Sequence, residues 1–125
     1  MELGSDDAEG ALRDFERRHP GSVYANDVRF SLGSYYCAVG NMPLAREAFE
    51  RTEYKALSAP RREQYDIRMG YVEFTQGDYA AAYDRFSRIG SRSEYADHAL
   101  YYRSYIDYAE GRYDRAKDGF TQLTR

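Results

Sequence analysis

One block of ten residues occurs three times in this chain, and it constrains the fold more than any other feature. The copies are Gly40–Phe49, Gly77–Phe86 and Gly111–Phe120. The glycines at 40, 77 and 111 are spaced by 37 and 34 residues, and Ala45, Ala82 and Ala116 keep the same spacing, as do Phe49, Phe86 and Phe120. A weaker copy stands at the start, where Ala11 and Phe15 lie 34 residues before Ala45 and Phe49. In the middle copy Tyr79, Ala82 and Phe86 fall on one face at helical spacing. A glycine at the head of each block lets the chain leave the preceding helix through a left-handed residue. The block is therefore a turn followed by a helix, and the three extra residues of the longer spacing fall in the connection 55–60.

A second element precedes each block. Leu32-Gly33 followed by Tyr36 occupies the same register as Met69-Gly70 followed by Glu73, and as Arg103-Ser104 followed by Asp107. Small residues thus stand on both helices of each period: Gly33, Gly70 and Ser104 on the first, Ala45, Ala82 and Ala116 on the second. This pattern predicts close helix crossings, including one between Gly70 and Ala82, where a larger side chain would overpack the contact by about 1–3 kcal/mol. Phe49, Phe86 and Phe120 are expected to fill the space between the two helices and the next pair.

Expected helices run over 6–18, 25–39, from Pro43 to about Tyr54, from about Pro60 through Phe74, and over 79–89, 94–110 and 113–123. Asp6 or Asp7 can cap the first, Pro43 suits a first turn, and Ser58 or Ala59 stands where a cap is needed before Pro60. His19-Pro20-Gly21-Ser22 and 91–93 are breaks.

A period of about 34 residues with a Gly-led helix and an Ala-x3-Phe signature resembles the tetratricopeptide repeat. Leu32-Gly33-x2-Tyr36 matches that family's first-helix segment fully, the other two first helices match in part, and the family's tryptophan is absent. The resemblance implies an all-α fold: a right-handed superhelix of antiparallel helix pairs, with about three full repeats and a leading helix. Its boundaries would be a flexible start at 1–5, a leading second helix at 6–19, and repeats at 24–57, 58–93 and 94–125. It also implies a concave groove lined by the first helices. By analogy Phe30, Ser34 and Cys37 would face it from the first pair, Ile67, Tyr71 and Phe74 from the second, and Tyr101, Tyr105 and Tyr108 from the third. The Lys/Asn clamp that some members use for a terminal carboxylate is missing, since Phe30, Ile67 and Tyr101 stand at its lysine place and Ser34, Tyr71 and Tyr105 at its asparagine place.

The junction His19-Pro20-Gly21-Ser22-Val23-Tyr24-Ala25 is similar to those of envelope tetratricopeptide proteins of Gram-negative bacteria, among them outer-membrane-assembly lipoproteins and periplasmic cell-division coordinators. Ser93-Glu94-Tyr95-Ala96 resembles the same junction. Tyr54-Lys55-Ala56-Leu57-Ser58 and the tyrosine-rich third pair resemble very large exported multi-repeat proteins. These resemblances imply a scaffold rather than an enzyme. They also imply a longer exported parent, in the periplasm or at the outer membrane. Met1–Asp7 itself lacks the basic and apolar regions of a signal peptide.

The remaining chemistry is sparse. A net charge of −3 with a pI near 5.4 argues against a phosphate-backbone footprint and so against nucleic acid. One cysteine excludes an internal disulfide, and His19, His98 and Cys37 show no metal-ligand spacing, so no metal and no cofactor is expected. No apolar run is long enough for a membrane span. Glu73 and Asp107 replace tyrosine on equivalent turns. They read either as a paired acid/base site or, more simply, as carboxylates that reach a nearby arginine or the solvent. The charge-rich stretches 13–18 and 85–92 read as solvated faces.

The function expected is non-catalytic binding of a peptide or protein segment in the groove. Carbohydrate recognition by its tyrosines is the alternative, and an enzyme is the third. The same tyrosines could equally serve only to pack neighbouring helices. Weak self-association is expected through Leu12 and Phe15 at one end and Tyr113, Phe120 and Leu123 at the other.

Overall fold

The structure, a computed structural model, describes residues 5–125, with side chains from residue 8 onward. The expected flexible start lies outside the described residues except for Ser5, and the Asp6/Asp7 cap lies outside the described side chains. Among the described residues there are seven α-helices, one 3-10 turn and no strand. They fall into two compact units divided between Tyr65 and Asp66.

The first unit holds α1 (Ser5–Arg18), α2 (Ala25–Ala38), α3 (Met42–Glu50), a 3-10 turn at Tyr54–Ala56 and the beginning of α4 (Ala59–Thr75). The second holds the rest of α4, then α5 (Tyr79–Ser87), α6 (Ala96–Ala109) and α7 (Tyr113–Leu123). Helices α1, α2 and α3 pack in sequence in the first unit, and α5, α6 and α7 in the second. Helix α7 spans the expected residues, and α2 ends one residue early. Helix α3 stops at Glu50 rather than near Tyr54, because Thr52 turns its hydroxyl onto the Ala48 carbonyl at 2.9 Å and the chain tightens into the 3-10 turn.

The three block glycines behave alike. Gly40, Gly77 and Gly111 have φ of 82°, 79° and 82°, the only positive values among the described residues. Each donates to the carbonyl three residues back, and the next residue donates five back: Asn41 to Tyr36 at 2.9 Å, Asp78 to Glu73 at 2.8 Å and Arg112 to Asp107 at 2.7 Å. This pair of hydrogen bonds engages free carbonyls of a helix end, and it needs a left-handed residue that only glycine adopts without strain. Asn41 then caps α3 by accepting from the Leu44 N–H at 3.3 Å. The two Ser-x-Tyr-Ala junctions also match each other. Tyr24 N donates to Ser22 Oγ at 3.1 Å, and Tyr95 N donates to Ser93 Oγ at 3.0 Å.

Phe49 and Phe86 are fully buried and define the two cores. In the first unit the Phe49 ring packs against Phe30 and Tyr65, with centroids 6.1 and 5.3 Å away. In the second the Phe86 ring stacks on Tyr102 at 5.2 Å and 17°. Both rings lie against a first-helix glycine. A Cβ on Gly33 would come within 2.5 Å of two Phe49 ring atoms, and a Cβ on Gly70 within 2.8 Å of Phe86. The three atoms nearest to such a Cβ on Gly70 all belong to the Phe86 ring. Ala45, Ala82 and Ala116 are nonetheless buried, at 0, 0 and 3% exposure.

The third pair solves the crossing differently. Ser104 is buried, and a Cβ on Gly119 would collide with its hydroxyl. The serine occupies the room that a glycine leaves open in the other pairs, so the missing side chain moves to the facing helix. Phe120 is half-buried instead and packs on Tyr101 at 6.0 Å.

Candidate functional site

The second unit carries an aromatic face. Tyr101, Tyr105 and Tyr108 recur at helical spacing along α6 and are 47, 40 and 58% exposed. Beneath them Tyr102 turns inward onto Phe86, so one face of α6 is buried while the neighbouring one is presented. Phe74, near the end of α4, meets Tyr105 edge-on at 5.4 Å and Tyr102 at 5.0 Å, and Tyr71 meets Tyr102 at 5.7 Å. Tyr101 meets Tyr102 at 5.3 Å, and Tyr108 meets Tyr113 at 5.6 Å. Each presented ring is therefore braced by another ring, which limits the entropy lost when a ligand covers it. The face offers flat apolar area with phenol hydroxyls at its edge, suited to prolyl, aliphatic or sugar surfaces and to hydrogen bonds with backbone groups.

The other expected groove residues divide. Phe30 is only 5% exposed and belongs to the core, because its ring side lies against Phe49. Ser34 is half-buried and donates to the Phe30 carbonyl at 3.0 Å. Cys37 is half-buried. Ile67 packs, with Phe74 and Tyr102, against the core formed by Ala82, Phe86, Ile89, Ala99 and Ile106.

The two carboxylates that stood out in the sequence are structural. Glu73 is 3% exposed and accepts from Arg85 Nε at 2.7 Å. Asp107 is 5% exposed and accepts from Arg112 Nε at 2.8 Å, which holds that guanidinium above its ordinary pKa. Each acid has its own arginine, so the two do not form a shared acid/base pair. In the first unit the equivalent Tyr36 donates to Glu9 at 2.7 Å and accepts from Arg13 at 2.6 Å. Burial, then the Glu9 contact, raise the Tyr36 pKa, although Arg13 opposes both. The Arg13 guanidinium is itself raised, first by its bond to Tyr36.

The charged stretches are not simply solvated, as the sequence suggested. Glu16 is largely buried and bridges Arg29 and Arg51. Buried Asp66 lies 3.9 Å from Arg85 and 3.4 Å from Arg88. These partners come from different elements or from just past a helix end, a pairing that one-dimensional charge runs do not disclose. Among the described residues no three His, Cys, Asp or Glu side chains gather to hold a metal, and no helix is long and apolar enough to cross a membrane. His19 lies at a helix end beside Phe15, and His98 is exposed in the first turn of α6.

Each unit also has open clefts. One of about 490 Å³ in the first unit lies between α1 and α3 over Leu32 and Tyr36. In the second, one of about 410 Å³ is bordered by Tyr83 and Arg112, and one of about 380 Å³ by Leu100, Arg103 and Gln122. The chain matches no family model, no curated protein and no solved structure.

Proposed function

We propose that this chain is a non-catalytic protein-interaction scaffold of the tetratricopeptide kind, and that the tyrosine face of α6, with Tyr71 and Phe74 beside it, binds an extended or helical peptide segment. The observation that carries this reading is the exposure of Tyr101, Tyr105 and Tyr108, each in contact with a neighbouring ring. Three large aromatics side by side on the surface mark an interaction site more often than isolated apolar residues do. The repeat assignment draws its support from the three matching glycine helix ends and from the two glycine–phenylalanine crossings. A stack of such pairs into a right-handed superhelix, with the parent protein in the bacterial cell envelope, is part of the same proposal.

Selection from a random peptide library tests it. Selected peptides should lose at least about 30-fold in affinity to Tyr105→Ser or Tyr108→Ser, as hot-spot anchors do. Helical circular dichroism and Tm should stay near those of the parent. Retained affinity in both folded variants refutes the site. Binding of soluble glycans but of no peptide, lost in the same variants, would move the assignment to carbohydrate recognition.

A further inference from the structure

Arg103 stands on α6 at the register position that Leu32 and Met69 hold in the other pairs, where they are 1 and 2% exposed. Arg103 itself is half-buried. The guanidinium has no counterpart in those pairs, so the fold does not require a cation there. Its Nε is buried and has no hydrogen-bond partner. The buried carboxylates of this unit are already engaged, Asp66 and Glu73 by Arg85 and Arg88, and Asp107 by Arg112. A buried donor on a charged group without an acceptor is costly, and such a group calls for an explanation.

The arginine borders the cleft of about 380 Å³ between the 89–97 segment, α6 and α7. Ser91 and Gln122 line the same cleft and supply neutral donors, Leu100 supplies an apolar wall, and Asp97 is exposed beside them. Backbone at Gly90 leaves its side open, since a Cβ there would meet nothing within 4 Å. We propose that this cleft is a carboxylate-binding site anchored by Arg103. A carboxylate accepts two parallel N–H bonds from Nε and a terminal nitrogen of one guanidinium. Arg103 lines the cleft while its Nε is buried, so the proposed two-pronged contact requires the guanidinium to turn its Nε edge toward the bound carboxylate. Asp97 repels a dianion more than a monoanion, which favours a carboxylate over a phosphate. The site is separate from the tyrosine face and does not depend on it.

The test is a titration of the whole chain with sodium acetate against chloride at constant ionic strength, followed by NMR at the Arg103 Nε–H and by Tm. A saturable shift of that resonance in the millimolar range is expected, with a rise of roughly 5 °C at ten times the dissociation constant. Arg103→Met should raise Tm in chloride and abolish the acetate response. Arg103→Lys, which keeps the charge but not the two-pronged geometry, should weaken acetate at least 10-fold. An absent Nε–H shift, an acetate response that survives in Arg103→Met, or an unchanged affinity in Arg103→Lys overturns the proposal. Phosphate binding as tight as acetate overturns the choice of carboxylate. An acetylated, amidated Ala-Glu-Ala peptide distinguishes the sources. Binding 10-fold tighter than acetate assigns the site to a side chain of a partner protein, and equal binding assigns it to a free acid.

Discussion

Gly33→Ala should destabilise this protein, against the usual effect of removing a glycine from a helix. Inside a helix, alanine is favoured over glycine by about 1 kcal/mol. At Gly33 the added Cβ would lie 2.5 Å from both Cδ1 and Cε1 of Phe49 and 2.9 Å from Cγ. The ring is fully buried, with Phe30 and Tyr65 packed around it, so it has little room to retreat. Overpacking of this kind costs about 1–3 kcal/mol and rises with the depth of the clash. With three ring atoms involved, the upper part of that range applies, leaving a net loss of about 1–2 kcal/mol and a fall in Tm of roughly 5–10 °C. Gly10→Ala is the internal control. Gly10 is exposed in α1, and a Cβ there meets nothing within 4 Å, so this change should stabilise by about 0.5–1 kcal/mol. Thermal melts followed by circular dichroism separate the two. Adding Phe49→Leu to Gly33→Ala should cost less than the sum of the single changes, because the smaller side chain relieves the clash. A Gly33→Ala melt equal to or above that of the parent would refute the placement of the ring.

Phe86→Ala should cost about 3–5 kcal/mol, and Phe120→Ala less than half of that, because Phe86 is fully buried and Phe120 is not; urea titration gives both. Glu73→Ala should lose about 3 kcal/mol by leaving the Arg85 guanidinium without its closest acid, and a loss below about 1 kcal/mol would show that Asp66 replaces it. Tyr36 has a folded pKa raised above its unfolded value, so its contribution is fully present below pH about 10 and declines as pH rises through the folded pKa. The stability of the parent should therefore fall more steeply than that of Tyr36→Phe above pH 10, as measured by denaturant melts across that range.

Features imposed by one segment on its own backbone were legible in the sequence. The glycines at 40, 77 and 111 were, because a left-handed helix end has a residue-specific demand that shows at the repeat spacing. Helix α7 was legible for the same local reasons. Pairings between helices were not. That the Phe86 ring lies nearest to Gly70 emerges only from the geometry, since both Ala82 and Phe86 lie on the facing helix. Gly119 was overlooked because its register mates, Ala48 and Arg85, share no property with it; the visible signal was the simultaneous change of Gly70 to Ser104 in the same register. Phe30 and Tyr101 occupy the same register yet differ in burial, 5 against 47%, which a repeat pattern cannot separate. Arg103 was visible as a departure from Leu32 and Met69, but its unmet Nε emerges only from the surroundings.

The central claim is that the tyrosine face of α6 is the binding surface. Its most direct test is NMR of protein carrying ring-labelled tyrosine, titrated with a peptide selected for binding to the whole chain. Tyr101, Tyr105 and Tyr108 should show the largest shifts and saturate together, while the buried Tyr36 and Tyr65 stay in place. Saturating shifts confined to other tyrosines, with those three unmoved, would contradict it.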